Sequence, residues 1–117
     1  MANTMLPAAA LWCLLLADPG AANTPSKCSD PVSSQCTLRD WMKLNLQSSL
    51  DRGDYGRLAW SLRRLADATR QLDRNWFTMA RTAAIAAERK DEATVRAQCK
   101  ACHEAYREPR RWPIGRH

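Results

Sequence analysis

A short cysteine and histidine motif near the end of the chain restricts its fold and chemistry more than any other feature. Two residues separate Cys99 from Cys102, and His103 follows directly. This spacing is the attachment pattern of a c-type haem. On a helix the two cysteines lie one turn apart on the same face, so both thiols can bond one porphyrin while the adjacent imidazole reaches the iron. The motif predicts one covalently attached haem c with His103 as an iron ligand.

The first 22 residues are predicted to be a secretory signal peptide. Residues 6–17 form an apolar run that is too short for a stable membrane anchor. Small residues follow at Gly20 and Ala22, as at a signal-peptidase site. Residues 1–5 contain no Lys or Arg, so an apolar segment that is not a signal is the alternative. We expect export to the periplasm and no stable membrane anchor.

The other cysteines fit an exported protein. Cys13 would leave with the signal peptide, and Cys28 and Cys36 close a short loop. Disulfides form in oxidising compartments, so export would allow this pair to bridge. Two free thiols are the alternative.

The net positive charge of the chain favours an acidic partner. There are 18 Lys and Arg against 12 Asp and Glu, a formal net charge of +6. Charge steers encounters between small redox proteins, so we expect an acidic redox partner protein. The basic residues are spread along every predicted helix and form no run interleaved with aromatic residues. No nucleic acid partner is therefore expected.

Four amphipathic segments with no alternating strand pattern predict an all-α fold. The predicted helices span residues 37–53, 54–72, 76–89 and 93–108. Thr37, Asp54 and Asp91 are predicted to cap helices, Leu72 to face inward, and residues 73–75 to form a polar turn. Similar lengths and short connections favour an antiparallel up-down-up-down four-helix bundle, with the haem on the last helix. The predicted divisions are a signal peptide (1–22), an irregular lead-in with a disulfide (23–36), the haem domain (37–108) and a flexible basic tail (109–117).

The second iron ligand is predicted to come from upstream of the motif, because a Pro-broken tail follows it. Met42 lies on the apolar stripe of the first helix, which neighbours the last helix in a simple bundle, and thioether sulfur is a good haem ligand. Met79 and the upstream lysines are other candidates, and an open sixth site is also compatible. His117 could bind only if the tail folded back. A buried methionine is more often core filler than a ligand.

The sequence of the last predicted helix is similar to that of a known protein family. The run from Cys99 to His103, followed by Tyr106 and Arg107, resembles the C-terminal attachment segment of class II c-type cytochromes, the cytochrome c′ group. The resemblance implies an exported four-helix bundle with haem on its last helix. Arg39 and Met42 resemble the family's pair of an Arg and the residue facing the iron, although they are three residues apart where the family usually has four.

Two arginines near these positions suit the carboxylates of a haem. Arg39 and Arg107 could pair with the propionates, because a planar guanidinium matches a carboxylate. A solvated surface charge is the alternative for each. Homodimers are common in the family, so a homodimer is left open.

Three functions remain compatible with the sequence. A one-electron carrier is the leading hypothesis if Met42 binds the iron, and a high-spin binder of nitric oxide or carbon monoxide is the second if it does not. The third is a helical interaction protein without haem, stabilised by disulfides or zinc. Its zinc ligands would be Cys99, Cys102, His103 and one of Cys28 and Cys36. No second polar cluster indicates an enzyme.

Overall fold

The computed structural model describes residues 28–32 and 35–115. This part of the chain contains four helices and no strands, which confirms the predicted all-α class. Helix α1 is continuous over residues 38–51, and it is followed by α2 (Tyr55–Thr69), α3 (Arg74–Glu88), α4 (Glu92–Ala105) and a 3₁₀ turn (Pro109–Arg111).

Two sequence predictions fall on segments outside the described residues. They are the signal peptide, residues 1–22, and His117. Within the described ranges, no helix combines the length and the apolar character that crossing a membrane requires.

Each helix begins at a residue whose side chain caps it. The capping side chain accepts a hydrogen bond from the backbone N–H three residues further on, which satisfies a donor that has no partner within the helix. The caps are Thr37, Asp54, Asp73 and Asp91. Because Asp73 is a cap, α3 begins at Arg74, and the predicted start at Trp76 is wrong by two residues. Gly53, with a φ of 68°, allows the reversal between α1 and α2.

Helix α1 contains a π-helical segment in its middle. It consists of α-helical Leu38–Met42, π-helical Lys43–Gln47 and α-helical Ser48–Asp51. In a regular α-helix, residues four apart are offset by about 40° around the axis, so a stripe of such residues drifts. The wider π turn opposes this drift. Two straight stripes result: Leu38, Met42, Leu46 and Leu50 on one, and Trp41, Asn45 and Ser49 on the other.

Asn45 joins α1 to the preceding segment. Its side chain is only 1 % exposed, and its Nδ2 donates to the carbonyls of Trp41, at 2.9 Å, and Cys28, at 3.0 Å. Cys28 and Cys36, the pair predicted to bridge, form a disulfide. Asn45 therefore holds the disulfide loop against the π segment.

The end of α4 differs from the predicted one. The helix stops at Ala105, not at residue 108, because Tyr106 leaves the helical conformation. Its carbonyl accepts a hydrogen bond of 2.7 Å from Trp112 Nε1. Trp112 and Ile114 pack against the apolar cluster that contains Leu38. Within the tail predicted to be flexible, residues 112–115 are thus half-buried, whereas residues 109–111 are exposed.

The helices pack in sequence order. Helix α1 packs on α2, α2 on α3, and α3 on α4. Fully buried Ala84 and Ala87 allow the neighbours of α3 to approach closely. Leu72, predicted to face inward, is 61 % exposed because α2 ends before it, at Thr69. Within the described residues, no comparable backbone packing joins α1 to α4.

Candidate functional site

A cavity of about 840 Å³ opens between α1 and α4. Its size lies within the range of about 300–1,000 Å³ that is usual for ligand sites. Six residues that the sequence predicts to hold a haem line this one cavity. They are Cys99, Cys102, His103 and Arg107 from α4 and the residues after it, and Arg39 and Met42 from α1. The fold therefore brings together two groups of residues that are far apart in the chain.

Helix α4 presents the three motif residues in two different environments. Cys99 and Cys102 are half-buried free thiols, and each packs against one of the two apolar clusters of the core. His103 is exposed and lines the cavity. The thiols are held against the core while the imidazole remains accessible to a bound group.

The two thiols are not activated as nucleophiles. Burial raises the pKa of Cys99, and burial together with the neighbouring Cys99 and Asp73 raises the pKa of Cys102 to about 11. Reactive cysteines in redox enzymes instead have a lowered pKa and ionise near neutral pH. The pair is therefore protonated at neutral pH and suited to a binding or structural use.

The wall of the cavity formed by α1 is mainly apolar. Met42 and Leu46 are half-buried and face it together with Leu38 and Leu50. The straight stripe created by the π segment places all four on this wall. Among them, Met42 carries the only side-chain atom able to bind a haem iron.

Two arginines lie at the cavity without acidic partners. Arg39 and Arg107 are both exposed, and within the described residues neither forms a salt bridge. A guanidinium without a partner can bind a carboxylate through two parallel hydrogen bonds. The arrangement fits a ligand with carboxylate groups at its edge.

Tyr106 connects the end of α4 to the start of α3 beside the cavity. Its hydroxyl donates a hydrogen bond of 2.8 Å to Oδ1 of Asp73, the residue that caps α3. Its ring packs edge-on against Trp76, with 4.7 Å between ring centroids. Burial raises the pKa of the Tyr106 phenol, and the hydrogen bond to Asp73 adds to this effect.

Replacing Tyr106 with phenylalanine is expected to lower the free energy of unfolding by about 1 kcal/mol at pH 7, since one hydrogen bond is lost. A phenol whose pKa is raised by folding contributes stability below its unfolded pKa of about 10, and this contribution disappears as the pH rises through the folded pKa. The difference between Tyr106→Phe and the wild type should therefore shrink above pH 10. Urea unfolding followed by circular dichroism at pH 7 and pH 10.8 measures both values.

Tyr55→Phe is the matched control for this prediction. The Tyr55 hydroxyl also donates to a carboxylate, that of Glu92 at 3.2 Å, but this hydrogen bond is exposed. We expect a smaller loss for this variant at pH 7. A loss for Tyr106→Phe that is equal at the two pH values would contradict the assigned hydrogen bond.

Of the other candidate ligands, Lys43 also lines the cavity, and the structure separates the remaining described ones from it. Met79 lies on α3 and does not line it. The zinc hypothesis needs Cys28 or Cys36, and both are in the disulfide. In the described part of the chain, no three His, Cys, Asp or Glu side chains form a group that could hold a metal ion.

The sequence pattern did not indicate one aromatic residue of the cavity. Trp112 follows the 3₁₀ turn and lines the cavity beside Tyr106. The available signal was that Trp112 and Ile114 are the large apolar residues of an otherwise basic tail. Two such residues in a polar segment favour packing against a core.

Comparison with known proteins identifies no relative: no family model, no curated protein and no solved structure matches this chain. The function is therefore inferred from the residues of the cavity.

Proposed function

We propose that this chain is an exported, periplasmic monohaem c-type cytochrome that carries one electron at a time, a compact relative of the class II cytochromes. In this proposal the four helices form an antiparallel up-down-up-down bundle with haem c attached to α4. One observation carries the proposal. Cys99, Cys102 and His103 line the same cavity as Met42 and Arg39, which belong to a different helix.

The donors at the cavity fit a haem. Cys99 and Cys102 are one helical turn apart, so their thiols could form the two thioether bonds, and the His103 imidazole would bind the iron. Arg39 and Arg107 would bind the propionates. The leucines on α1 exclude water from the apolar part of the cavity. The bound haem would supply the one-electron couple of its iron.

Met42 decides which haem function this cavity supports. It is half-buried on the wall contributed by α1, while His103 belongs to α4. The Met42 thioether would be a second protein ligand to the iron and would raise its reduction potential. Two protein ligands suit electron transfer because they leave no position for a substrate or gas.

A gas-binding function is the second candidate. Apart from Met42, the stripe of α1 that faces the cavity consists of leucines. If Met42 packs without binding, this wall is apolar and admits a neutral diatomic molecule such as nitric oxide or carbon monoxide. The protein would then be a high-spin relative of cytochrome c′.

The proposal is tested by exporting the protein in a host with haem-attachment machinery. We expect haem that survives denaturing electrophoresis and a reduced spectrum of the c type. Cys99→Ser/Cys102→Ser should lose all covalent haem, because no thioether can form. The matched control is Cys28→Ser/Cys36→Ser, which removes the disulfide pair and should keep the haem attached.

The outcomes of this experiment distinguish the three hypotheses. Covalent haem with a low-spin spectrum and a thioether–iron charge-transfer band supports the electron carrier. A high-spin spectrum with carbon monoxide binding supports the gas binder. Wild-type protein without covalent haem would refute both and leave a helical interaction protein.

A further inference from the structure

Most of the excess positive charge of the described residues lies around the cavity. Five exposed cationic residues line it, and Glu104 is the only acidic residue in the described part of the chain that does so. Five positive charges against one negative leave a formal charge of +4 there, whereas the other 11 cationic and 10 acidic residues that the structure describes nearly balance. These five residues, the cationic collar, are Arg39, Lys43, Arg96, Lys100 and Arg107.

The cationic collar is also short of acidic partners. Within the described ranges, Arg96 alone of the five forms a salt bridge, to Glu92 at 3.7 Å, and this pair is exposed. Exposed pairs of this kind contribute little. Cations elsewhere, such as Arg52, Arg74 and Arg81, also form no salt bridge with the described residues. The cationic collar is therefore distinguished by its net charge and not by its number of unpaired cations.

Haem propionates would not neutralise this charge. Two carboxylates paired with Arg39 and Arg107 would still leave Lys43, Arg96 and Lys100 against Glu104. These three cations come from both α1 and α4, so they border the cavity from two sides. An anionic surface that meets the cavity would contact them together.

We infer that the cationic collar is the docking surface for the acidic face of a protein partner, which would exchange electrons at the opening of the cavity. This inference rests on the proposed function, and it specifies which residues the redox partner would contact. Complementary charge at this position steers the encounter and orients the partner toward the site.

The distribution of apolar side chains favours a protein over a lipid surface. Membrane-surface binding combines cations with protruding apolar side chains. The large apolar residues with the greatest exposure are Val32, Leu44, Trp60 and Leu72. None of the four lines the cavity. The cationic collar therefore combines positive charge with none of these four exposed apolar side chains.

The test uses two variants that change the net charge equally. Lys43→Glu/Lys100→Glu reverses two charges of the cationic collar, and Arg74→Glu/Arg81→Glu reverses two exposed charges on α3 away from the cavity. We expect the first pair to weaken binding of fluorescent poly-L-glutamate at least tenfold at low ionic strength. The second pair should change it less than threefold, and the contrast should vanish in 0.5 M salt because charges are screened. Circular dichroism checks that both variants fold.

A second readout follows electron transfer in the haem-loaded protein. Reduction by the iron(II)–EDTA dianion should slow at least tenfold in the collar variant, whereas reduction by the hexaammineruthenium(II) dication should accelerate. The α3 variant should change both rates less than threefold. These opposite signs report local charge and would not arise from a general loss of structure.

Two results would overturn the inference. One is an equal effect of the two charge-reversal pairs, which would show that only the net charge matters. The other is collar-dependent binding to phosphatidylglycerol vesicles or a single-stranded oligonucleotide with no effect on poly-L-glutamate. Binding of poly-L-glutamate does not require haem. If the exported wild-type chain carries no covalent haem, the proposed function is refuted. If that haem-free chain still binds poly-L-glutamate through the cationic collar, the docking surface is supported.

Discussion

Replacing Met42 with alanine is expected to abolish the thioether–iron charge-transfer band and lower the midpoint potential of the haem-loaded protein by more than about 100 mV. In the proposed site the thioether sulfur would stabilise the reduced iron relative to the oxidised iron, and the other three residues of its stripe on α1 are leucines. The vacated position should also bind carbon monoxide. Near-infrared absorption, spectroelectrochemistry and carbon monoxide titration measure these three changes.

Met79→Ala is the matched control, because Met79 is half-buried on α3 and does not line the cavity. We expect it to leave the band and the potential unchanged. A Met42→Ala protein that keeps the band would show that another residue binds the iron. Wild-type protein without the band but with carbon monoxide binding would favour the gas-binding function instead.

Replacing Asn45 with alanine is expected to lower the free energy of unfolding by about 2–4 kcal/mol, an unusually large loss for one polar side chain. The Asn45 amide donates to the buried carbonyls of Trp41 and Cys28 and accepts a hydrogen bond of 3.1 Å from Arg57 Nη2. Alanine would remove all three hydrogen bonds inside the protein, where an unsatisfied polar group is costly. Urea unfolding at neutral pH under oxidising conditions measures the change.

Ser49→Ala provides the comparison within the same buried stripe. The Ser49 hydroxyl donates a single hydrogen bond of 2.9 Å, to the Asn45 carbonyl, and joins no other segment. We expect a loss of about 1 kcal/mol or less. Equal losses in the two variants would mean that the contacts of Asn45 with the disulfide loop and α2 contribute nothing.

The effect of Asn45→Ala should extend to the haem-loaded protein. Asn45 lies inside the π segment that directly follows Met42. If the segment returns to a regular α-helix, Leu46 and Leu50 move around the helix axis away from Met42. The shift is about 40° for each four residues that separate them from Met42. A weakened thioether–iron band would then accompany the loss of stability.

Local sequence signals predicted the helices well because helix ends depend on nearby residues. Thr37, Asp54 and Asp91 cap the helices that they were predicted to cap. The start of α3 was misplaced because Asp73 was interpreted as part of a turn, although a cap and a turn use the same residue types. The end of α4 was misplaced because its cause, the hydrogen bond from Trp112, lies outside the helix.

The hydrogen-bond partners of the buried polar stripe of α1 were not predictable from periodicity. Helical spacing from Leu38 places Asn45 and Ser49 on the inner face, and both are buried although they are polar. Their burial depends on the π segment, on the Cys28 carbonyl and on Arg57. These contacts join distant parts of the chain, and hydrophobic periodicity carries no information about them.

The sequence by itself determined the spacing of Cys99, Cys102 and His103, their position on the last helix and the shared face of the two cysteines. These features follow from the fixed geometry of one helix, in which residues three and four apart are neighbours. The tertiary structure alone decided that a cavity opens between α1 and α4, that Trp112 packs beside it and that net positive charge surrounds it. These arrangements depend on how helices distant in the chain pack together, and that packing is set by long-range contacts that no local spacing encodes.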